Sequence, residues 1–154
     1  VNKITTLGFL LCDYKYASER KAVVIQDHLM SEVGQSHGGA GKSIVGNAIG
    51  HVVSQFFIDG KQMKRDDEFL LSGVTKATRN IFLDDVKTNF AFENLFAMVT
   101  GPMYVNPKGK DRYCIPLEDS PKILITTNHA INKANEAATK RRIIYMEFST
   151  STVR

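Results

Sequence analysis

The run Ser36-His37-Gly38-Gly39-Ala40-Gly41-Lys42-Ser43 constrains this chain more than any other stretch. Glycines at that density let backbone N–H groups turn inward around phosphate oxygens. A lysine beside them carries a charge toward the β- and γ-phosphates of a nucleotide, and the next hydroxyl is a ligand for Mg²⁺. The pattern is G-x-x-x-x-G-K-[ST], with Ser36 where its first glycine stands. Ile44 to Ile49 opens a helix, so a phosphate would meet backbone N–H groups and the positive end of the helix dipole. The candidate nucleotide contacts are Gly38, Gly39, Ala40, Gly41, Lys42, Ser43 and Ile44. Glycine-rich turns before helices also occur as plain structure, so the rest of the chain must supply matching chemistry.

The hydrophobic pattern points to an α/β fold. Ile4, Leu7, Leu10 and Leu11 recur at helical spacing, which predicts a helix over residues 4 to 16. Ala22-Val23-Val24-Ile25 is a β-branched run suited to a buried strand. Either that strand continues toward Val33 or the lead-in to the glycine loop is long. Residues 43 to 55 read as helix and Phe56-Phe57-Ile58 as strand, with Asp59-Gly60 as a turn. Asn80 to Val86 and Lys122 to Asn128 are further buried strands, and Ile143 to Phe148 is the last. Phe92 to Val99 reads as a helix stopped by Thr100-Gly101-Pro102. Met103-Tyr104-Val105 and Tyr113-Cys114-Ile115 flank a basic stretch as a β-hairpin. Apolar strands alternating with helices predict a central, mostly parallel five-stranded sheet flanked by helices, with the hairpin as an insertion. Residues 1–20 read as a lead-in helix and residues 21–154 as one nucleotide-binding domain.

Polar residues at the carboxyl ends of parallel strands face the ligand crevice. Asp84 and Asp85 follow Ile81-Phe82-Leu83 in this way. The first acid would complete a Mg²⁺ environment with Ser43, and the second would orient or deprotonate a water attacking the γ-phosphate. The alternative is a pair of solvated acids in a strand-end turn. Asn128 follows Lys122-Ile123-Leu124-Ile125 with the same logic, as a neutral amide able to hold that water or sense the γ-phosphate.

Composition sets outer limits. The chain has 154 residues, long enough for one domain with a real core, and a formal charge of +4 that permits nucleic acid without requiring it. Charge clusters at Lys108, Lys110 and Arg112 and again at Lys140-Arg141-Arg142. No apolar run approaches membrane-spanning length, so no membrane partner is expected. Cys12 and Cys114 are isolated, and His28, His37, His51 and His129 share no metal-ligand spacing. A reducing, intracellular setting is the simpler reading. Phe90, Phe92 and Phe96 read as core. The chain opens with Val1 inside apparent structure, which points to a fragment of a longer protein.

In order, glycine loop, paired acids, basic hairpin and strand-end Asn resemble the ATPase core of superfamily 3 helicases, in the phage and plasmid primase–helicase branch. The first motif matches Gly38 to Ser43 and the second Ile81 to Asp85. The intermediate motif resembles Phe92 to Lys110, notably Thr100-Gly101, Tyr104-Val105 and Lys108-Gly109-Lys110. The third matches Lys122 to Asn128, and a trailing Arg-Arg-apolar segment looks like Arg141-Arg142-Ile143-Ile144 through Phe148. The resemblance spans about residues 21 to 149.

That resemblance implies a P-loop NTPase of AAA+ type, using ATP and Mg²⁺, assembled as a homo-oligomeric, usually hexameric, ring with ATP sites between subunits. Lys42, Asp84, Asp85 and Asn128 would be catalytic, with Arg141 or Arg142 as the finger reaching a neighbour's γ-phosphate. Ser43 and Asp84 would hold Mg²⁺. Lys108 and Lys110, with Arg112 beside them, would grip single-stranded DNA through its phosphates. A primase domain in the same chain and a bacterial cytoplasmic setting, phage or mobile-element encoded, are also implied. The leading expectation is the motor domain of a replicative DNA helicase. A DNA-binding loader switched by ATP, or a small P-loop kinase, are the alternatives.

Overall fold

The computed structural model describes residues 2–27, 41–64, 67–87, 90–129 and 136–148. The chain runs α1 (Lys3–Leu11), β1 (Ala22–Asp27), α2 (Lys42–Gly50), β2 (Gln55–Asp59), β3 (Asn80–Val86), α3 (Phe96–Thr100), β4 (Met103–Val105), β5 (Tyr113–Ile115), β6 (Lys122–Thr127), α4 (Ala137–Lys140) and β7 (Ile143–Phe148). Five strands form one sheet in the order β2-β3-β6-β1-β7, and β4 with β5 forms a separate ribbon. Every pairing in the large sheet is parallel, and the ribbon is antiparallel.

Strand periodicity divides the core in two. On one face Ala22, Val24, Ile81, Leu83, Ile123, Ile125 and Ile143 pack with Phe92, Leu95, Val99, Met103, Val105 and Ile115. On the other, Val23, Ile25, Phe82, Leu124 and Met146 pack with Leu10 and Ile49, and Leu7 and Val45 lie against them. Successive side chains of a strand point to opposite faces, so covered β1 and β6 read as unbroken apolar runs rather than alternating ones. The ribbon and the Phe92–Thr100 segment cover the first face; α1 and α2 cover the second. The close approach of α2 depends on Gly46. A Cβ there would lie 2.2 Å from Cζ of Phe82, a fully buried ring.

The expected elements are present with shifted ends. The first helix stops at Leu11, not near residue 16, because Cys12 turns extended and the following segment is drawn across the molecule. There Lys15 N–H donates to the Glu118 carbonyl. The second helix stops at Gly50, and Gln55, expected at its end, begins β2 because the Ser54 carbonyl already accepts from Arg79 and Asn80 at the head of β3. Phe92–Leu95 is a 3₁₀ turn feeding α3 rather than one helix. β3 spans Asn80–Val86 as expected, with a bulge between Leu83 and Val86 where the two acids lie. The open question of how β1 leads to the glycine loop falls outside the described residues.

Lys15 is 2% exposed, with its ammonium donating to Ser120 Oγ at 3.0 Å and to the Met98 and Pro121 carbonyls at 3.3 and 3.5 Å. Burial, and then the neighbouring Lys122 and Arg20, lower its pKa from 10.5 to about 8. The folded chain thus binds fewer protons than the unfolded chain between those values, and stability should rise with pH across that window. Denaturant unfolding at pH 7.5 and 9.5 checks this, and Lys15→Met should flatten the rise. Gly46→Ala should cost about 1–3 kcal/mol through overpacking, outweighing the roughly 1 kcal/mol alanine gains over glycine in a helix. Its chemical-denaturation midpoint measures the balance.

Candidate functional site

The carboxyl ends of β1, β3 and β6 meet the N-terminus of α2 at one edge of the sheet, as a parallel doubly wound arrangement requires. Gly41 caps α2 in the left-handed conformation, φ 81°, which glycine adopts without steric cost. It delivers Lys42 and Ser43 onto the strand ends. Ser36, His37, Gly38, Gly39 and Ala40 lie outside the described residues. Ile44 is exposed on α2.

Lys42 is buried, and its ammonium donates to Asp27 Oδ2 at 2.5 Å, with the two side chains only 8% and 11% exposed. Asp27 is the last residue of β1. Its other oxygen is buried and has no hydrogen-bond partner among the described residues. A buried pair of this kind resists loss of either partner, because the survivor is left as an uncompensated charge.

Asp84 and Asp85 diverge because the backbone between them is bent. Asp85 has φ 54°, a left-handed conformation that aspartate tolerates better than most residues, at the β3 bulge. Asp84 Oδ1 accepts from Ser43 Oγ at 2.7 Å and from Thr126 Oγ1 at 2.5 Å. Asp85 turns the other way. Its Oδ1 accepts from Asn128 Nδ2 at 3.0 Å, its Oδ2 meets Lys61 Nζ at 2.5 Å, and its backbone N–H donates to Thr126 Oγ1 at 2.8 Å. The Asp85 carboxylate raises the pKa of the exposed Lys61 ammonium through that hydrogen bond. The arrangement thus separates one acid tied to the serine hydroxyl from a second tied to the amide of Asn128. The hydroxyl and carboxylate at the first position are hard oxygen donors of the type Mg²⁺ takes.

Lys42, Ser43, Asp84, Asp85 and Asn128 are therefore brought together. Arg141 and Arg142 are not: they stand at the head of β7, the opposite end of the parallel sheet. Arg141 is exposed, whereas Arg142 is half-buried, donates from Nη1 to the Ala138 carbonyl at 2.8 Å and lies 4.4 Å from the Phe96 ring centroid. Arg20, Arg141, Arg142, Ser18 and Thr100 line a cavity of about 430 Å³ there. Lys108, Lys110 and Arg112 are exposed in the β4–β5 connection. Phe92 is fully buried, with Phe90 and Phe96 packed against the same core. Among the described residues no three His, Cys, Asp or Glu side chains converge as a metal cluster.

Three site residues escaped the sequence: Asp27, Lys61 and Thr126. Asp27 carries the same signal as Asp84, a polar residue ending an apolar strand. Thr126 is indistinguishable from a β-branched strand residue, and Lys61 sits in an ordinary turn.

Residues 35–142 match the model of a family of unknown function, DUF5906. Among solved structures the chain is similar to a JCV helicase, with 11% identity and a TM-score of 0.65 over 97% of this chain and 40% of that one. It is also similar to the NrS-1 C-terminal region, with 14% identity and a TM-score of 0.51 over 86% of this chain and 30% of that one. The chain spans less than half the length of either, and at such identities the likeness is one of fold. No curated protein matches the sequence. No described helix is long and apolar enough to cross a membrane.

Asp27→Asn should destabilise the chain by about 3–5 kcal/mol by leaving the Lys42 ammonium unpaired. Adding Lys42→Met should recover part of that loss, a double-mutant coupling that urea titrations of the four variants measure.

Proposed function

Since the chain belongs to the family of unknown function DUF5906, whose description assigns no activity, we propose its role from its own site: the ATP-hydrolysing motor domain of a superfamily 3-type replicative DNA helicase. The observation that carries this reading is the convergence of Lys42, Ser43, Asp84, Asp85 and Asn128 on one sheet edge. The strand order β2-β3-β6-β1-β7, with the glycine-loop strand between β6 and β7, supports a P-loop assignment of AAA+ type. The helicase-like fold shared with the JCV protein agrees with it.

In this reading the Gly41 turn and the first N–H groups of α2 bind the phosphates of ATP, and the Lys42 ammonium neutralises the β- and γ-oxygens. Ser43 and Asp84 would hold Mg²⁺, which when bound offsets the charge that phosphate oxygens accumulate during transfer. Asp85 and Asn128 act on the attacking water. Asn128 donates from Nδ2 to Asp85 and so fixes the carboxylate that accepts the proton, while its own buried Oδ1, unpaired among the described residues, remains free to accept from the water. Lys61 occupies the second oxygen of Asp85 and must leave it for full basicity.

The arginines fit an ATP site shared between copies. Both lie at the opposite end of the sheet from their own chain's phosphate edge, so they would serve a neighbour's nucleotide in a ring. Arg141 is the better finger, because Arg142 is committed to the Ala138 carbonyl and the Phe96 ring. A primase domain elsewhere in the same protein, and single-stranded DNA held by Lys108, Lys110 and Arg112, complete the proposal.

Lys42→Ala in the full-length protein should abolish DNA-stimulated ATP hydrolysis. Arg141→Ala should lower turnover by about 10³-fold while nucleotide binding survives, and Arg142→Ala should chiefly lower thermal stability. Mixing Lys42→Ala and Arg141→Ala subunits should restore part of the hydrolysis, because some interfaces then carry both intact groups. No complementation, with rings demonstrably mixed, would exclude a shared site. Hydrolysis and DNA binding without strand displacement would favour the loader reading instead.

A further inference from the structure

The β4–β5 ribbon has a buried face and an open one. Met103, Val105 and Ile115 point into the core, while Tyr104 and its cross-strand partner Cys114 point outward. Tyr104 is 55% exposed between the buried Met103 and Val105, a large aromatic surface for a strand position. The Arg112 guanidinium lies 4.8 Å from its ring centroid. Tyr104, Arg112, Tyr113 and Cys114 line a cleft of about 380 Å³. Tyr113 is anchored beneath by donating its hydroxyl hydrogen to the Val74 carbonyl at 2.5 Å. A second pair repeats the chemistry: the Lys108 ammonium lies 5.7 Å from the ring of Phe69, itself 38% exposed.

Isolated exposed aromatics are common, but two of them each associated with a cation from the same hairpin are a narrower feature. The attraction between a cation and a π-face favours Arg112 and Lys108 beside the rings. Each pair sets a flat aromatic surface beside a positive charge, complementary to a polymer of flat bases and anionic phosphates. Duplex DNA hides its bases and would use only the cations. Unpaired bases would use both.

We propose that the outer face of this ribbon is a nucleobase-stacking site for single-stranded DNA, with Tyr104 as the platform and Arg112 stacking beside it. This deepens the reading of the hairpin as a DNA contact, and rests on it. Lys108 and Lys110 attract the backbone, while Tyr104 holds a base that only a single strand exposes. Stacking of this kind accepts any base, so the site tolerates sequence. Phe69, beside Lys108, offers a second and less exposed platform.

The test uses the full-length protein, fluorescein-labelled dT20, and an abasic strand of equal length, with binding read by anisotropy at several salt concentrations. Tyr104→Ala should weaken dT20 binding by about 5- to 100-fold without changing the slope of log affinity against log salt, and should leave abasic-strand binding as in the parent. Tyr104→Phe should retain dT20 affinity. Lys108→Ala with Lys110→Ala should instead flatten the salt slope for both strands. Equal dT20 affinity in Tyr104→Ala and the parent overturns the stacking site while leaving the DNA reading intact. Equal losses for dT20 and the abasic strand overturn it too, as does loss of assembly in sedimentation with binding per subunit unchanged, which would make Tyr104 a subunit contact. A parent that binds neither strand overturns both the stacking site and the DNA role of the hairpin.

Discussion

The contact between Gly46 and Phe82 fixes the geometry on which the candidate site depends. Because residue 46 has no Cβ, α2 settles directly onto the Phe82 ring rather than one side chain's thickness above it. That depth brings Ser43 within a hydrogen bond of Asp84 and Lys42 within one of Asp27. Gln55 reinforces the same docking by donating to the Gly46 carbonyl at 3.1 Å. The proposed phosphate chemistry would tolerate misplacement poorly, so the packing of an apolar ring against a glycine would matter to the site as much as its charged groups.

Charge at the site is arranged in pairs rather than left open. Asp27 holds Lys42 and Asp85 holds Lys61, while Asp84 is satisfied by two hydroxyls. Under the proposed function a triphosphate would compete with Asp27 for the Lys42 ammonium, and freeing Asp85 would require Lys61 to move. The two exchanges differ in cost. The Lys42 pair is buried, where an ion pair is hard to break. Lys61 is largely solvated, where such pairs contribute little and part easily. The energetic threshold of the site thus lies at Asp27.

The sequence was legible where local chemistry and tertiary role coincide. β3 and β7 have the boundaries their apolar runs predict, and the ribbon falls on the two predicted strand pairs. Asp84 and Asn128 could be nominated because strand-end polarity follows from sheet architecture. Thr126 could not, since a threonine within a buried strand looks the same whether its hydroxyl is idle or bridges two acids. The early end of α1 was equally hidden: contacts distant in sequence, the burial of Lys15 against Met98, Ser120 and Pro121 and the Lys122 ammonium on the Cys12 carbonyl, hold residues 12–16 away from the helix.

By itself, the sequence determined the parallel α/β class, the glycine loop feeding a helix and the order of polar residues at strand ends. Each of these follows from periodicity or backbone freedom within a short window. The tertiary structure alone decided that Thr126 bridges the two acids, which lysines pair with which carboxylates, and that Arg141 is exposed while Arg142 is engaged. Those outcomes depend on contacts between residues far apart in the chain, 41 positions for Ser43 with Asp84 and 43 for Asp85 with Asn128. The bulge at Asp85 is the clearest case. The order of the two acids suggests separate roles, but only the left-handed backbone at Asp85 explains how adjacent side chains reach different partners.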